Sequence, residues 1–378
     1  MIPSLHISGF KLFRELDLPR LGGLNLFVGK NNTGKTCLLE AVELYASSSP
    51  LGILSVAYRR EPDGSKRRRE ERYKRPEFGY TLQPLFNLFH RELSQVYPRV
   101  RLSAGHPDTD LEILCDPLLP MTRELESLPP ENGKLELAHR RIYPQHLLGE
   151  GFLLARGKES PRPISLHHYL QELPIPMELL EQEGWLHQDA APVAFLPACG
   201  SSNYDAKRLW DEATKADRHE LVIEWLRFIE PRVRDLRYIS DSDSESDLPN
   251  LKINGDRGWT PLAYMGDGLT HLFHIGLAMA NASGGILLID EFENGLHWEV
   301  QEQLWKALFE AATKFGVQVF ATTHSNDCIQ AFVEARKDRL ISSESYVYRL
   351  ERKGENIHAH EFSRQGLEAA IRQGIEVR

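Results

Sequence analysis

Residues 29–36 read Gly29-Lys30-Asn31-Asn32-Thr33-Gly34-Lys35-Thr36, a G-x-x-x-x-G-K-[ST] string whose residue types suit one task, the holding of a polyphosphate. The glycines let the backbone curl so that its N–H groups face the anion. Lys35 is placed to meet the β- and γ-phosphates, and the Thr36 hydroxyl is a candidate Mg2+ ligand. Cys37 follows as a small helix residue at the foot of the loop. Far along the chain, Gly285-Ile286-Leu287-Leu288-Ile289-Asp290-Glu291 is an apolar run ending in two adjacent carboxylates. Asp290 is suited to hold Mg2+ beside Thr36, and Glu291 to orient or deprotonate a water attacking the γ-phosphate. A third run, Gln318-Val319-Phe320-Ala321-Thr322-Thr323, ends in His324, whose imidazole can hydrogen-bond the γ-phosphate and report its presence. These residues predict binding of ATP or GTP with Mg2+, and hydrolysis rather than mere binding.

Such chemistry needs elements that bring the three segments together. A phosphate loop works only between a strand and a helix N-terminus, and here Leu24-Asn25-Leu26-Phe27-Val28 is a strand pattern while an apolar-periodic helix begins at Cys37-Leu38-Leu39-Glu40. The runs before Asp290 and His324 are continuously apolar, as strands of a buried parallel sheet are. Residues 4–13 alternate like a half-buried strand. Between about 97 and 156 the pattern turns to β, with Val100-Arg101-Leu102, Leu111 to Cys115, Lys134 to Ala138 and Phe152 to Ala155 as strands. Proline-rich connections cover roughly 161–197, and one helical stretch is expected from Tyr204 to Phe228, with Leu221, Trp225 and Phe228 along one face. Ahead of the Asp290 strand, Gly266-Asp267-Gly268 opens a further helix with Asp267 as its expected cap, a tip suited to an anion.

The chain has 378 residues, 41% of them hydrophobic and 26% charged, enough for one large α/β domain with insertions or for two average domains. Its net charge of −9 argues against a surface that clings everywhere to nucleic acid, although residues 59–75 carry nine basic and four acidic side chains, a local +5. A solvated loop is the plainer reading of that segment. Cys37, Cys115, Cys199 and Cys328 are scattered without a C-x-x-C pair, which fits a reducing compartment without structural zinc. No apolar run approaches the ~20 residues that span a bilayer, and no secretory leader opens the chain, so a cytoplasmic location without a membrane is expected. The acidic stretch 241–247 lacks the glycine and the twelfth-position glutamate of a calcium loop. The pairs His271/His274 and His358/His360 lack accompanying ligands for a metal.

Taken in order, the Phe10-Lys11 strand, the phosphate loop, the helix from Gly266, Asp290-Glu291 with Glu293-Asn294-Gly295-Leu296-His297, and Thr323-His324-Ser325 resemble an ABC-type ATPase head of the RecF/SMC/OLD group. The likeness is strongest to the short OLD-like ATPases of bacterial anti-phage systems of the PARIS type. It implies a mixed β-sheet lobe, a helical signature lobe and an inserted β-rich region within a single head, in parts 1–160, 161–283 and 284–378. It also implies a head-to-tail homodimer, or a higher oligomer built from such dimers, with ATP between one phosphate loop and the partner copy's Gly266, Asp267 and Gly268. Here Gly266 stands where the signature serine is usual, and Leu269 where a glutamine often follows. About 50 residues after His324 are too few for the TOPRIM nuclease domain of OLD enzymes. The resemblance therefore implies a regulatory ATPase with a separate TOPRIM-like nuclease or other effector, triggered by DNA or a phage protein. The alternative is a RecF/SMC-like DNA-binding ATPase of repair or chromosome maintenance. A transporter subunit is disfavoured by the long gap to Asp290, and a kinase by the water-directed carboxylate pair.

Overall fold

The computed structural model describes residues 1–47, 49–59, 88–90, 99–105, 110–115, 152–157, 162–164, 191–240, 247–337 and 344–378. The first part of the chain forms strands β1 (Leu5–Phe10), β2 (Phe13–Leu18) and β3 (Leu24–Val28), helices α1 (Lys35–Ser47) and α2 (Pro50–Tyr58), and strands β4 (Arg99–Ser103), β5 (Leu111–Cys115), β6 (Phe152–Arg156) and β7 (Arg162–Ile164). Then come β8 (Val193–Leu196), α3 (Asn203–Lys215), α4 (His219–Leu226), β9 (Val233–Ser240), β10 (Asp247–Ile253), β11 (Thr260–Pro261), a 3-10 turn (Leu262–Met265) and α5 (Asp267–Asn281). The last part holds β12 (Ile286–Ile289), α6 (Trp298–Phe315), β13 (Gln318–Thr323), α7 (Asn326–Ala335), β14 (Ser345–Lys353), β15 (Asn356–Phe362) and α8 (Arg364–Arg372).

The chain divides into two units, one of Met1–His6, Glu15–Ser47 and Asp189–Arg378, the other of Ile7–Arg14 and Ser48–Gln188. The first unit holds a six-stranded sheet of order β15-β14-β3-β13-β12-β8, in which β14, β3, β13, β12 and β8 run parallel and β15 closes one edge antiparallel. Every residue of β3, β12 and β13 is buried, which is why their sequences read as mainly apolar runs, broken only by Asn25 in β3 and by Gln318, Thr322 and Thr323 in β13. On one face Leu24, Leu26, Leu287, Ile289, Val319 and Ala321 join a core with Trp305, Phe309 and Phe332. Phe27 stacks between Phe320 and Tyr348 at 6.3 and 5.9 Å. Asn25, a fully buried polar residue of β3, meets the Gly22 N–H and the carbonyls of Gly22 and Val319, so its burial leaves no amide group unpaired.

The same unit carries an antiparallel sheet of order β11-β10-β9 and the helices α3, α4 and α5. Where one helical stretch was expected over 204–228, the chain breaks: Asp217 adopts φ +54 between α3 and α4, and Phe228 lies beyond α4 and is exposed. A residue with positive φ cannot continue a right-handed helix. Gly276 of α5 lies where a Cβ would meet Val222 Cα at 3.2 Å and Trp225 Cβ at 3.3 Å, so its missing side chain sets the close approach of α5 to α4. In the second unit β4, β5, β6 and β7 pair antiparallel in sequence order. The expected strand 134–138, the basic residues 60–75 and the acidic residues 241–246 lie outside the described residues.

Candidate active site

Because β3, β13 and β12 are adjacent and parallel, with Val28 opposite Thr323 and Ile289 opposite Ala321, the segments that follow them leave from the same sheet edge. The phosphate loop leaves β3 at Gly29, where a Cβ would meet Leu350 O and Thr33 Oγ1, both at 2.7 Å. Gly34 adopts φ +89, a conformation that L side chains strain to reach. Thr33 Oγ1 donates to Lys30 O at 2.8 Å, and Leu38 N donates to Gly34 O at 2.8 Å to start α1. Lys30, Asn31 and Asn32 are exposed, whereas Cys37 is buried. Lys35 is 8% exposed, and its Nζ curls back to the carbonyls of Gly29 at 2.7 Å and Lys30 at 2.9 Å. Burial holds the Lys35 pKa below the usual range, against the opposing fields of Glu291, Asp290 and Glu293.

Thr36 Oγ1 donates to Asp290 Oδ2 at 2.8 Å, joining residues 254 apart in the chain. The other oxygen of Asp290 accepts from Thr322 Oγ1 at 2.6 Å, and Thr322 Oγ1 accepts from Glu291 N at 2.9 Å. Thr322, wholly buried on β13, therefore fixes both carboxylate-bearing residues at once. Glu291 turns out of the strand with φ +53. A hydroxyl and a carboxylate already in contact are the hard oxygen donors that suit Mg2+ completed by phosphates and water, and no larger metal cluster of His, Cys, Asp and Glu exists among the described residues.

His324 stands where β13 ends, with Nδ1 3.2 Å from Glu293 Oε1 and 3.6 Å from Glu291 Oε1. Glu293 Oε1 also accepts from His324 N at 3.0 Å and Ser325 N at 3.1 Å. Lys35, Thr36, Asp290, Glu291 and His324 were expected at one site, whereas Thr322 and Glu293 had no expected role. A threonine inside an otherwise apolar strand was the available signal for the first. Nothing local marked the second.

Gly266 has φ +90 and open space where a Cβ would be, and α5 starts at Asp267. The expected cap at Asp267 is corrected: Gly266 occupies the cap position, no side chain caps the helix, and Asp267 is the first helical residue. At Gly268 a Cβ would stand 2.9 Å from Gly295 O, and His271 Nε2 lies 3.1 Å from Phe292 O, so α5 rests on the turn after Glu291. Among the described residues no hydrogen bond joins Gly266, Asp267 or Gly268 to the phosphate loop of the same chain. His271 and His274 are core residues. Burial lowers both pKa values, that of His274 to about 4 with His271 adding to the effect.

The strand–loop–helix of residues 24–47 and the contact of Thr36 with Asp290 have the arrangement of a P-loop nucleotide site. Residues 218–327 match the family described as "AAA domain, putative AbiEii toxin, Type IV TA system". An ATP/GTP phosphatase of Helicobacter pylori is 21% identical over 97% of each chain. An uncharacterised protein of Methanocaldococcus jannaschii is 41% identical over 61 residues, 16% of this chain and 28% of that one. Among solved structures, an SMC head bound to the C-terminal winged-helix domain of ScpA is similar with a TM-score of 0.49 and 12% identity, covering 98% of this chain and 99% of its own. The SMC head domain of Thermotoga maritima is similar with a TM-score of 0.44 and 11% identity, covering 95% and 98%.

Proposed function

We propose that the protein is a Mg2+-dependent ATPase in which Lys35, Glu291 and His324 act on the terminal phosphate, and that it works as the regulatory head of a bacterial anti-phage system. The contact of Thr36 with Asp290 carries the reading, because it joins phosphate loop and carboxylate strand through two hard oxygen donors. Mg2+, held by Thr36 and Asp290, would neutralise charge on the β- and γ-phosphate oxygens. Backbone N–H groups of residues 29–37 hold the polyphosphate, and Lys35 balances its charge. Glu291 orients a water for attack on the γ-phosphorus and takes its proton as the bond to the bridging oxygen breaks and ADP leaves. His324 donates to the γ-phosphate. The partner copy's Gly266, Asp267 and Gly268 would face the same phosphate across a head-to-tail dimer, through backbone amides and the helix dipole.

In this reading residues 1–378 form one head in a cytoplasmic complex, and a separate TOPRIM-like nuclease or other effector answers to its nucleotide state after DNA or a phage protein is sensed. The second reading, a RecF/SMC-like ATPase on DNA, is favoured by the +5 charge of residues 59–75. ATP binding and turnover by the purified chain test the common core. Lys35→Ala should lose most nucleotide affinity, and Glu291→Gln should keep affinity while turnover falls by roughly 10²-fold or more. Native turnover in Glu291→Gln would place the base elsewhere. The purified chain should cut neither DNA nor RNA, and salt-sensitive, ATP-gated DNA binding without a protein partner would move the second reading ahead.

A further inference from the structure

We infer that Glu293 and Arg378 are positioning residues that clamp the backbone on either side of His324, and that Arg378 thereby ties the chain segment after α8 to the γ-phosphate reader. The inference rests on the ATPase reading for its catalytic meaning, but its geometry stands by itself. A residue leaving the end of a buried strand loses its ladder partners, and its N–H and C=O must find others. At His324 both are taken by charged side chains. Glu293 Oε1 accepts from the His324 N–H at 3.0 Å, and Arg378 Nη1 donates to the His324 carbonyl at 2.9 Å. Bonds to ionised partners are stronger than neutral ones. Glu293 thus holds the peptide before His324, and the peptide after it is held at its carbonyl by Arg378 and at the Ser325 N–H by Glu293, at 3.1 Å.

Neither clamp residue hangs free. The Glu293 side chain is 9% exposed and also receives Ser325 N. Arg378 follows Val377, which is 4% exposed and belongs to the core that includes Val347 and Leu367, and Ile375 N donates to Ala370 O at 2.9 Å. An ion pair, Arg378 Nε to Glu376 Oε1 at 3.1 Å, orients the guanidinium. With its backbone held, His324 keeps only its side-chain rotations. Its Nδ1 edge faces Glu293 and Glu291, at 3.2 and 3.6 Å, so Nε2 is the nitrogen left for the phosphate. Misplacing a catalytic group by about 1 Å costs up to 10²-fold in rate, so loss of one side of the clamp should be felt in turnover rather than in ATP capture.

The test compares wild type, Arg378→Ala, Arg378→Lys, His324→Ala and the His324→Ala/Arg378→Ala double variant in steady-state ATPase assays. Arg378→Ala should lower kcat about 10-fold with KM for ATP and thermal stability little changed. Arg378→Lys, which can still donate to the carbonyl, should recover part of the loss. In the His324→Ala background, removal of Arg378 should have no further effect, since the two act as one unit. Equal fold-losses in both backgrounds, or a change confined to KM, would overturn the clamp. Imidazole nitrogen NMR of His324 in wild type, Glu293→Gln and Arg378→Ala gives a readout that needs no turnover. Unmoved shifts in both variants would overturn the inference even in an active enzyme. Moved shifts in a protein without ATPase activity would keep the clamp and sink the catalytic reading.

Discussion

A single hydroxyl, that of Thr322, holds the two carboxylate residues of this site in register. Replacing it by valine keeps the shape of β13 but leaves Asp290 Oδ1 without its donor and Glu291 N without its acceptor. A buried hydrogen bond to a charged group contributes about 1.5–3 kcal/mol, so Thr322→Val should lose stability of that order and lower kcat at least ~10-fold, while Thr322→Ser keeps both bonds. Native kcat in the valine variant would show that Asp290 and Glu291 are held by other means. His274 offers a test of a different kind. Its folded-state pKa, lowered to about 4 by burial, lies below its ordinary value of 6.5. Between those values the unfolded chain binds a proton that the native one refuses, so the contribution is present above about 6.5 and is lost as pH falls towards 4, at about 1.4 kcal/mol per pH unit. Urea unfolding from pH 7 to 4.5 should show a shallower acid loss in His274→Leu than in wild type. Parallel curves would place the protonation elsewhere.

At the scale of elements, the N-terminus of α5 is set by glycine against glycine. Alanine within a helix ordinarily gains up to ~1 kcal/mol over glycine, but at Gly268 the new Cβ would stand 2.9 Å from the backbone oxygen of Gly295, which cannot swing aside as a side chain can. The clash should win, with Gly268→Ala losing about 1–3 kcal/mol and shifting the first turn of α5 away from the residues after Glu291. Gly258→Ala is the control, because nothing stands within 4 Å of its Cβ position. Its stability should stay within about 0.5 kcal/mol of wild type. Equal effects at the two glycines in urea unfolding would remove the packing argument.

For the molecule as a whole, the open space at the Cβ position of Gly266, with no hydrogen bond among the described residues from 266–268 to their own phosphate loop, suits the proposed approach from another copy. Glu291→Gln with ATP and Mg2+ should therefore shift from monomer to dimer in light scattering, and Lys35→Ala under the same conditions should not. Persistence of a monomer in saturated Glu291→Gln would remove the head-to-tail proposal and leave the single-chain site intact. Among the described residues no helix is long and apolar enough to cross a membrane.

The sequence by itself determined what local rules control. A glycine that needs φ +89 at residue 34, a lysine and threonine at fixed offsets from it, and apolar runs of strand length that stop at Asp290 and His324 can all be read along the chain. So could the buried parallel strands, since a strand covered on both faces has no polar alternation to lose. The single helix expected over 204–228 failed at one backbone angle, φ +54 at Asp217, which no apolar period reveals. What only the tertiary structure decided lies across the sheet. Thr322 meets Asp290 from 32 residues away, Glu293 meets His324 from 31, and Arg378 meets His324 from 54. Their side chains, a hydroxyl, a carboxylate and a guanidinium, are ordinary in isolation. They acquire roles because β13 lies between β3 and β12, an order of strands that brings distant residues to one edge and that no local pattern encodes.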